Sequence, residues 1–237
     1  MIVHTFATPG SIADPAHTVQ GCFVVVLDVL RATSTIITAL SRGARAVIPV
    51  EDIPEAIALS RTLGRDAVLL CGERQGVRIS GFDLGNSPLE YTSERVAGRT
   101  LVMTTTNGTR AIVAARGAEE IVIGGILNAA SVARMAQRSG LSVTLLMAGT
   151  QGRFSMEDAL GAGAIIDVLP DARPDDLGHA CYRLFRESRA DLRGALEVCA
   201  HYRRLVELGF ADDIAWCIKR DALDTVPRFE KDRIVAG

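Results

Sequence analysis

The sequence predicts an α/β protein with a helical C-terminal part. Through residue 169, short β-branched runs alternate with amphipathic segments that open on capping residues, the pattern of strands joined by crossover helices. The runs are apolar throughout, as in Phe23-Val24-Val25-Val26-Leu27, which predicts a sheet covered on both faces. Beyond about residue 174 those runs stop and helical spacing continues.

Strands are expected at 2–6, 22–28, 46–50, 67–71, 100–105, 120–124 and 142–148. Helices are expected near 34–42, 53–63, 88–96, 108–116, 129–138 and 156–168. Their starts carry cap signals: Asp52 with Glu55, Asn107, Asn128, and Ser155 with Asp158. Three more helical stretches, 183–189, 192–208 and 212–220, follow without intervening strands. Two prolines and several turn-forming residues cluster between Pro170 and Asp176. The chain therefore reads as one domain, 1–237, or as two packed lobes, 1–169 and 174–237.

Composition narrows the function. A 237-residue chain with 48% hydrophobic and 23% charged residues buries a sizeable core and is not disordered. Its net charge of −2 offers no general attraction to nucleic acid or an anionic membrane, so any anion must be held locally. Lys219 and Lys231 are its only lysines, leaving 24 arginines among the 26 basic residues. Five widely spaced cysteines form no disulfide or metal pattern, and no basic leader or run of about 18 apolar residues is present. A cytoplasmic protein with reduced cysteines is expected. The apolar C-terminal helices suggest a homodimer.

Ligands of open α/β sheets collect at the carboxyl ends of strands. Three strand-to-helix junctions carry the right groups: Asp28 through Thr35, Met103 through Arg110, and Met147 through Asp158. The long segment from Gly72 to Pro88 adds Glu73, Arg74, Arg78, Asp83 and Asn86, and so many charges in an aperiodic loop indicate function. Plainer readings compete: Asp28 and Asp158 as helix caps, the threonines at 104–106 as strand formers, and His4, His17, His179 and His201 as surface or packing residues. Common hydrolase designs are missing. A Cys-x5-Arg loop from Cys71 meets Val77, an Asp-x-Asp nucleophile pair meets Leu30, and no Gly-x-Ser-x-Gly, P-loop or His-Glu-x-x-His pattern occurs. The remaining carboxylates, hydroxyls, amides and arginines suit Mg²⁺ and a small, strongly anionic molecule.

These segments, taken in order, resemble the 2-phosphosulfolactate phosphatase family. The resemblance rests on Asp28-Val29-Leu30-Arg31-Ala32-Thr33-Ser34-Thr35, Gly72-Glu73-Arg74, Phe82-Asp83-Leu84-Gly85-Asn86-Ser87-Pro88, Thr105-Thr106-Asn107-Gly108-Thr109, and Ala148-Gly149 through Ser155-Met156-Glu157-Asp158. A weaker tail follows at Asp213-Ile214, Asp221 and Val226-Pro227, while Met147 and Gly161 stand where some relatives are expected to carry cysteine. The resemblance implies a three-layer αβα fold with a largely buried mixed sheet. It also implies a Mg²⁺-dependent hydrolase that removes phosphate from 2-phospho-3-sulfolactate in coenzyme M biosynthesis.

Residue roles follow as expectations. Asp28 binds Mg²⁺ or acts as nucleophile, and Asp83, Glu157 and Asp158 complete the metal site, with Glu73 as a further ligand or the base that activates water. Because position 30 holds no acid, metal-activated water is favoured over a phospho-aspartate. Arg31 and Arg74 neutralise the phosphate, and Thr33, Ser34, Asn86, Thr105, Thr106, Asn107, Gly108 and Thr109 help to bind it. Arg78 or Arg153 meets the sulfonate or carboxylate. Two alternatives remain: a phosphatase of another small phosphorylated 2-hydroxy acid, and a non-catalytic anion-binding module.

Overall fold

The computed structural model describes residues 1–13, 19–65 and 67–237; His17 lies outside them. Its strands are β1 (Ile2–Phe6), β2 (Cys22–Leu27), β3 (Ala46–Pro49), β4 (Val68–Arg74), β5 (Val77–Arg78), β6 (Thr100–Thr104), β7 (Glu120–Gly124), β8 (Ser142–Met147), β9 (Arg173–Pro174), β10 (Arg228–Glu230) and β11 (Arg233–Val235). Its helices are α1 (Ala32–Ser41), α2 (Ile53–Leu63), α3 (Ser93–Val96), α4 (Gly108–Ala114), α5 (Ala129–Ser139), α6 (Met156–Val168), α7 (Asp176–Ser188), α8 (Leu192–Leu196), α9 (Ala200–Glu207) and α10 (Ala211–Cys217).

These elements make the expected three-layer αβα arrangement around one mixed sheet, ordered β5-β4-β6-β3-β11-β10-β7-β2-β8-β1-β9. Two parallel blocks, β4-β6-β3 and β7-β2-β8-β1, are joined by the antiparallel hairpin β10–β11. Every residue of β2 is buried, as its unbroken apolar run requires. Its register pairs Leu27 with both Met147 and Gly124, so the loops after β2, β7 and β8 leave the sheet at one level.

The four C-terminal helices form where helical spacing was read, and they share a core with the sheet: Leu196, Leu205, Ile214 and Cys217 pack in the cluster that holds Leu27 and Val143. The hairpin at 228–235 was not anticipated, because two three-residue strands are too short for an alternation to register. Nor is 88–96 one helix. Pro88–Glu90 is a 3₁₀ turn and α3 a single turn.

Asp52 caps α2 by accepting from Glu55 N–H at 2.8 Å. The Ser155–Asp158 box does not form: Ser155 makes no side-chain cap bond, and Asp158 points elsewhere. No disulfide joins any of the five cysteines. Among the described residues, no helix is long and apolar enough to cross a membrane.

Candidate active site

A cavity of about 320 Å³ opens where the loops after β2, β4, β6 and β8 meet α9. Asp28, the residue after β2, lines it. Asp28 Oδ1 accepts from Ala32 N–H at 3.2 Å, and Oδ2 lies toward Gly108, where a Cβ would come within 2.8 Å of it and 2.5 Å of Ala32 Cβ. That close approach explains the glycine. Burial pushes the Asp28 carboxyl up to about 6, against the opposing pull of the His201 charge and the Ala32 N–H.

The neighbouring hydroxyls shape the backbone. Thr33 Oγ1 accepts from Asp28 N–H and donates to Asp28 C=O, at 3.1 and 2.9 Å. Ser34 Oγ donates to Val29 C=O at 2.8 Å. Both side chains are fully buried and neither lines the cavity.

Two carboxylates tie the loops together. Asp158 Oδ1 and Oδ2 accept from Val29 N–H at 2.8 Å and Gly149 N–H at 3.0 Å, joining the turns after β2 and β8. Burial, with the charges of Asp28 and Glu157, raises its pKa well above the usual carboxylate range. Glu73 Oε1 accepts from Thr106 N–H at 2.8 Å and Oε2 from Gly76 N–H at 2.7 Å, bracing the β4–β5 turn against the loop after β6. In that loop Thr105 Oγ1 accepts from Thr109 N–H at 3.2 Å and Thr109 Oγ1 donates to Thr105 C=O at 3.0 Å, so these two threonines close the turn. Thr106 and Asn107 reach the cavity instead, and Asn107 Oδ1 accepts from Gln151 N–H at 3.4 Å.

Of the four arginines expected to bind anions, one is in place. Arg31 lines the cavity with its guanidinium stacked on Phe210, paired with the buried Asp213 and donating to Gly76 C=O at 3.1 Å. Asp213 also accepts from Ser87 Oγ at 2.7 Å. Arg74 is turned into the protein, donating to Glu73 C=O at 2.8 Å and Thr104 Oγ1 at 2.9 Å. Arg78 and Arg153 are exposed and off the cavity wall.

Three of the four acids expected to share a metal have other partners. Asp83 is drawn away by Arg65 at 2.8 Å and by Leu70 N–H at 2.7 Å. Asp158 is occupied by its two N–H donors, and Glu157 Oε1 lies 2.6 Å from His201 Nδ1. Among the described residues, no three His, Cys, Asp or Glu side chains gather as a metal cage. Mg²⁺ needs no such cage, since it binds through one or two carboxylates, keeping waters and substrate oxygens. Three features at the cavity suit it. Asp28 is a carboxylate that burial pushes up to about 6, and Asn86 Oδ1 and Thr106 Oγ1 are buried without a partner among the described residues.

His201 and Arg204, both on α9, complete the wall together with Gln75 and Gln151. His201, read from the sequence as a surface or packing residue, lines the cavity and bonds Glu157. Glu157, held below its usual range despite burial, hydrogen-bonds His201 and raises the imidazole pKa against the opposing effect of burial. Glu157 and His201 lie 44 residues apart and are joined only by tertiary packing, so no local spacing announced the pair.

A family model described as 2-phosphosulpholactate phosphatase matches residues 8–232. A probable 2-phosphosulfolactate phosphatase of Caldanaerobacter subterraneus subsp. tengcongensis is 45% identical over 233 residues, 97% of this chain and 96% of the relative. Proteins of the same description from Symbiobacterium thermophilum and Thermotoga maritima are 43% and 45% identical, over 93% and 90% of this chain and 97% and 91% of theirs. On these matches, the chain belongs to the 2-phosphosulpholactate phosphatase family.

Proposed function

We propose that this chain is a phosphoric-monoester hydrolase that converts 2-phospho-3-sulfolactate into sulfolactate and phosphate in the Asp28 cavity, with Mg²⁺ as cofactor and coenzyme M biosynthesis as its setting. The observation that carries the reading is a buried carboxylate, Asp28, facing a cavity beside a buried guanidinium, Arg31. Titratable groups displaced in this way concentrate at catalytic sites.

Asp28, Asn86 Oδ1 and Thr106 Oγ1 would hold Mg²⁺, which would supply Lewis-acid neutralisation of the phosphate charge. Arg31 is held rigid by Asp213, Gly76 and Phe210, and offers its cation to the phosphoryl oxygens without reorganising. Glu73 lines the cavity as a carboxylate fixed by two N–H donors, and takes a proton from the water that attacks phosphorus. Arg204 at the wall meets the substrate's second or third anionic group. A cavity near 320 Å³ suits a three-carbon frame bearing phosphate, carboxylate and sulfonate.

A phosphate-release assay on a panel of phosphorylated 2-hydroxy acids, with and without Mg²⁺, tests the reading. Selective, Mg²⁺-dependent release from 2-phospho-3-sulfolactate supports it. Equal rates on esters lacking the sulfonate point to a broader phosphatase, and ligand binding without phosphate release points to an anion-binding module.

A further inference from the structure

Resting on that reading, we propose that His201, oriented by Glu157, is the general acid that protonates the departing ester oxygen. Hydrolysis of this ester expels the alkoxide of a 2-hydroxy acid, a leaving group too basic to depart readily without a proton. Few groups in the cavity can supply one. The guanidiniums of Arg31 and Arg204 do not give up protons, Asp28 is assigned to the cation, and Glu73 is assigned to the attacking water. The amides and hydroxyls of the wall are far weaker acids. His201 remains.

Its geometry fits the task. Nδ1 lies 2.6 Å from Glu157 Oε1, a separation that requires a proton between them. The Glu157 side chain is 3% exposed and sits in the first turn of α6, next to the Asp158 that ties down the turns after β2 and β8. The imidazole is therefore fixed in rotation, with Nδ1 committed and Nε2 without a partner among the described residues. A carboxylate that orients a histidine and stabilises its cation while the opposite nitrogen does the chemistry is a recurrent catalytic arrangement.

In the step, water oxygen bonds to phosphorus as the bond from phosphorus to the C2 oxygen breaks. The Nε2 proton passes to that oxygen, giving the free alcohol and a neutral imidazole. The proton lost by the water goes to Glu73, and exchange with solvent returns both groups to their starting forms. One water is consumed, and sulfolactate and hydrogen phosphate leave.

The test compares the oxygen ester with an analogue in which sulfur replaces the bridging oxygen. A thiolate leaves without protonation, so the analogue does not need the acid. His201→Gln is expected to slow the oxygen ester by about 10²- to 10⁴-fold and the sulfur analogue by less than about tenfold. Glu157→Gln should show the same selective loss, smaller in size. Equal slowing of both substrates, or no slowing of the oxygen ester, overturns the assignment. If His201→Gln folds poorly, the wild-type enzyme decides: similar rates on both substrates support a protonated leaving group, and a much faster sulfur analogue overturns it. Absence of phosphate release from every ester by the wild type would instead overturn the functional reading, and the role of His201 with it.

Discussion

Replacing Asp28 by Asn should make the protein more stable while removing its activity. The carboxyl titrates at about 6 in the folded chain against 3.8 for an exposed aspartate. At about 1.4 kcal/mol per pH unit, ionising it in place costs about 3 kcal/mol more than in the unfolded chain. Below about pH 3.8 both states carry the proton and no penalty exists. Between 3.8 and 6 the unfolded chain gives up its proton first, so this group erodes wild-type stability as pH rises, and above 6 the loss is complete. The Asn amide keeps an acceptor for Ala32 N–H and carries no charge. Urea unfolding in chelator-treated buffer should show the two proteins about equal near pH 3.5 and the variant ahead by about 3 kcal/mol at pH 8. For a chain of this length, that corresponds to roughly 6–12 °C in Tm. A variant no more stable than wild type at pH 8, or a gap independent of pH, would refute the reasoning.

Other consequences follow from the same geometry. Added Mg²⁺ should raise wild-type Tm by mass action and leave Asp28→Asn unmoved; an equal rise in both would place the cation elsewhere. Arg204→Ala should reduce kcat/KM on 2-phospho-3-sulfolactate about tenfold relative to 2-phospholactate, because a half-exposed guanidinium contributes a discounted charge-assisted bond to the sulfonate. An unchanged ratio in competition kinetics would remove Arg204 from sulfonate recognition. Gly108→Ala places a methyl 2.5 Å from Ala32 Cβ and should lower stability by about 1–3 kcal/mol, with activity falling as Asp28 is displaced; chemical denaturation beside a rate assay reads both.

What the sequence disclosed, and what it hid, follows the range of the interactions. The run Phe23–Leu27 closing on Asp28 was legible because a buried parallel strand and its carboxyl-end loop are local features, and the threonine-rich turn at 104–109 was legible for the same reason. Pairings between residues far apart in the chain were not legible. His201 depends on Glu157, and Arg31 is paired with Asp213, 182 positions away. The charged loop at 72–88 invited a functional reading of every charge in it. Glu73 and Asn86 do face the cavity, but Asp83 and Arg74 are spent on holding the loop to β4 and β6. The hydroxyls of Thr33 and Ser34 are likewise in the right place with a different task, since a buried turn must pair its own backbone groups before it can bind anything.

The most direct test is phosphate release from 2-phospho-3-sulfolactate by the wild type and by Asp28→Asn, in Mg²⁺ and at matched folded concentration. The assignment of Asp28 to the reaction centre requires steady turnover by the wild type and a loss of at least about 10³-fold in the variant. Near-normal, Mg²⁺-dependent turnover by Asp28→Asn would contradict it.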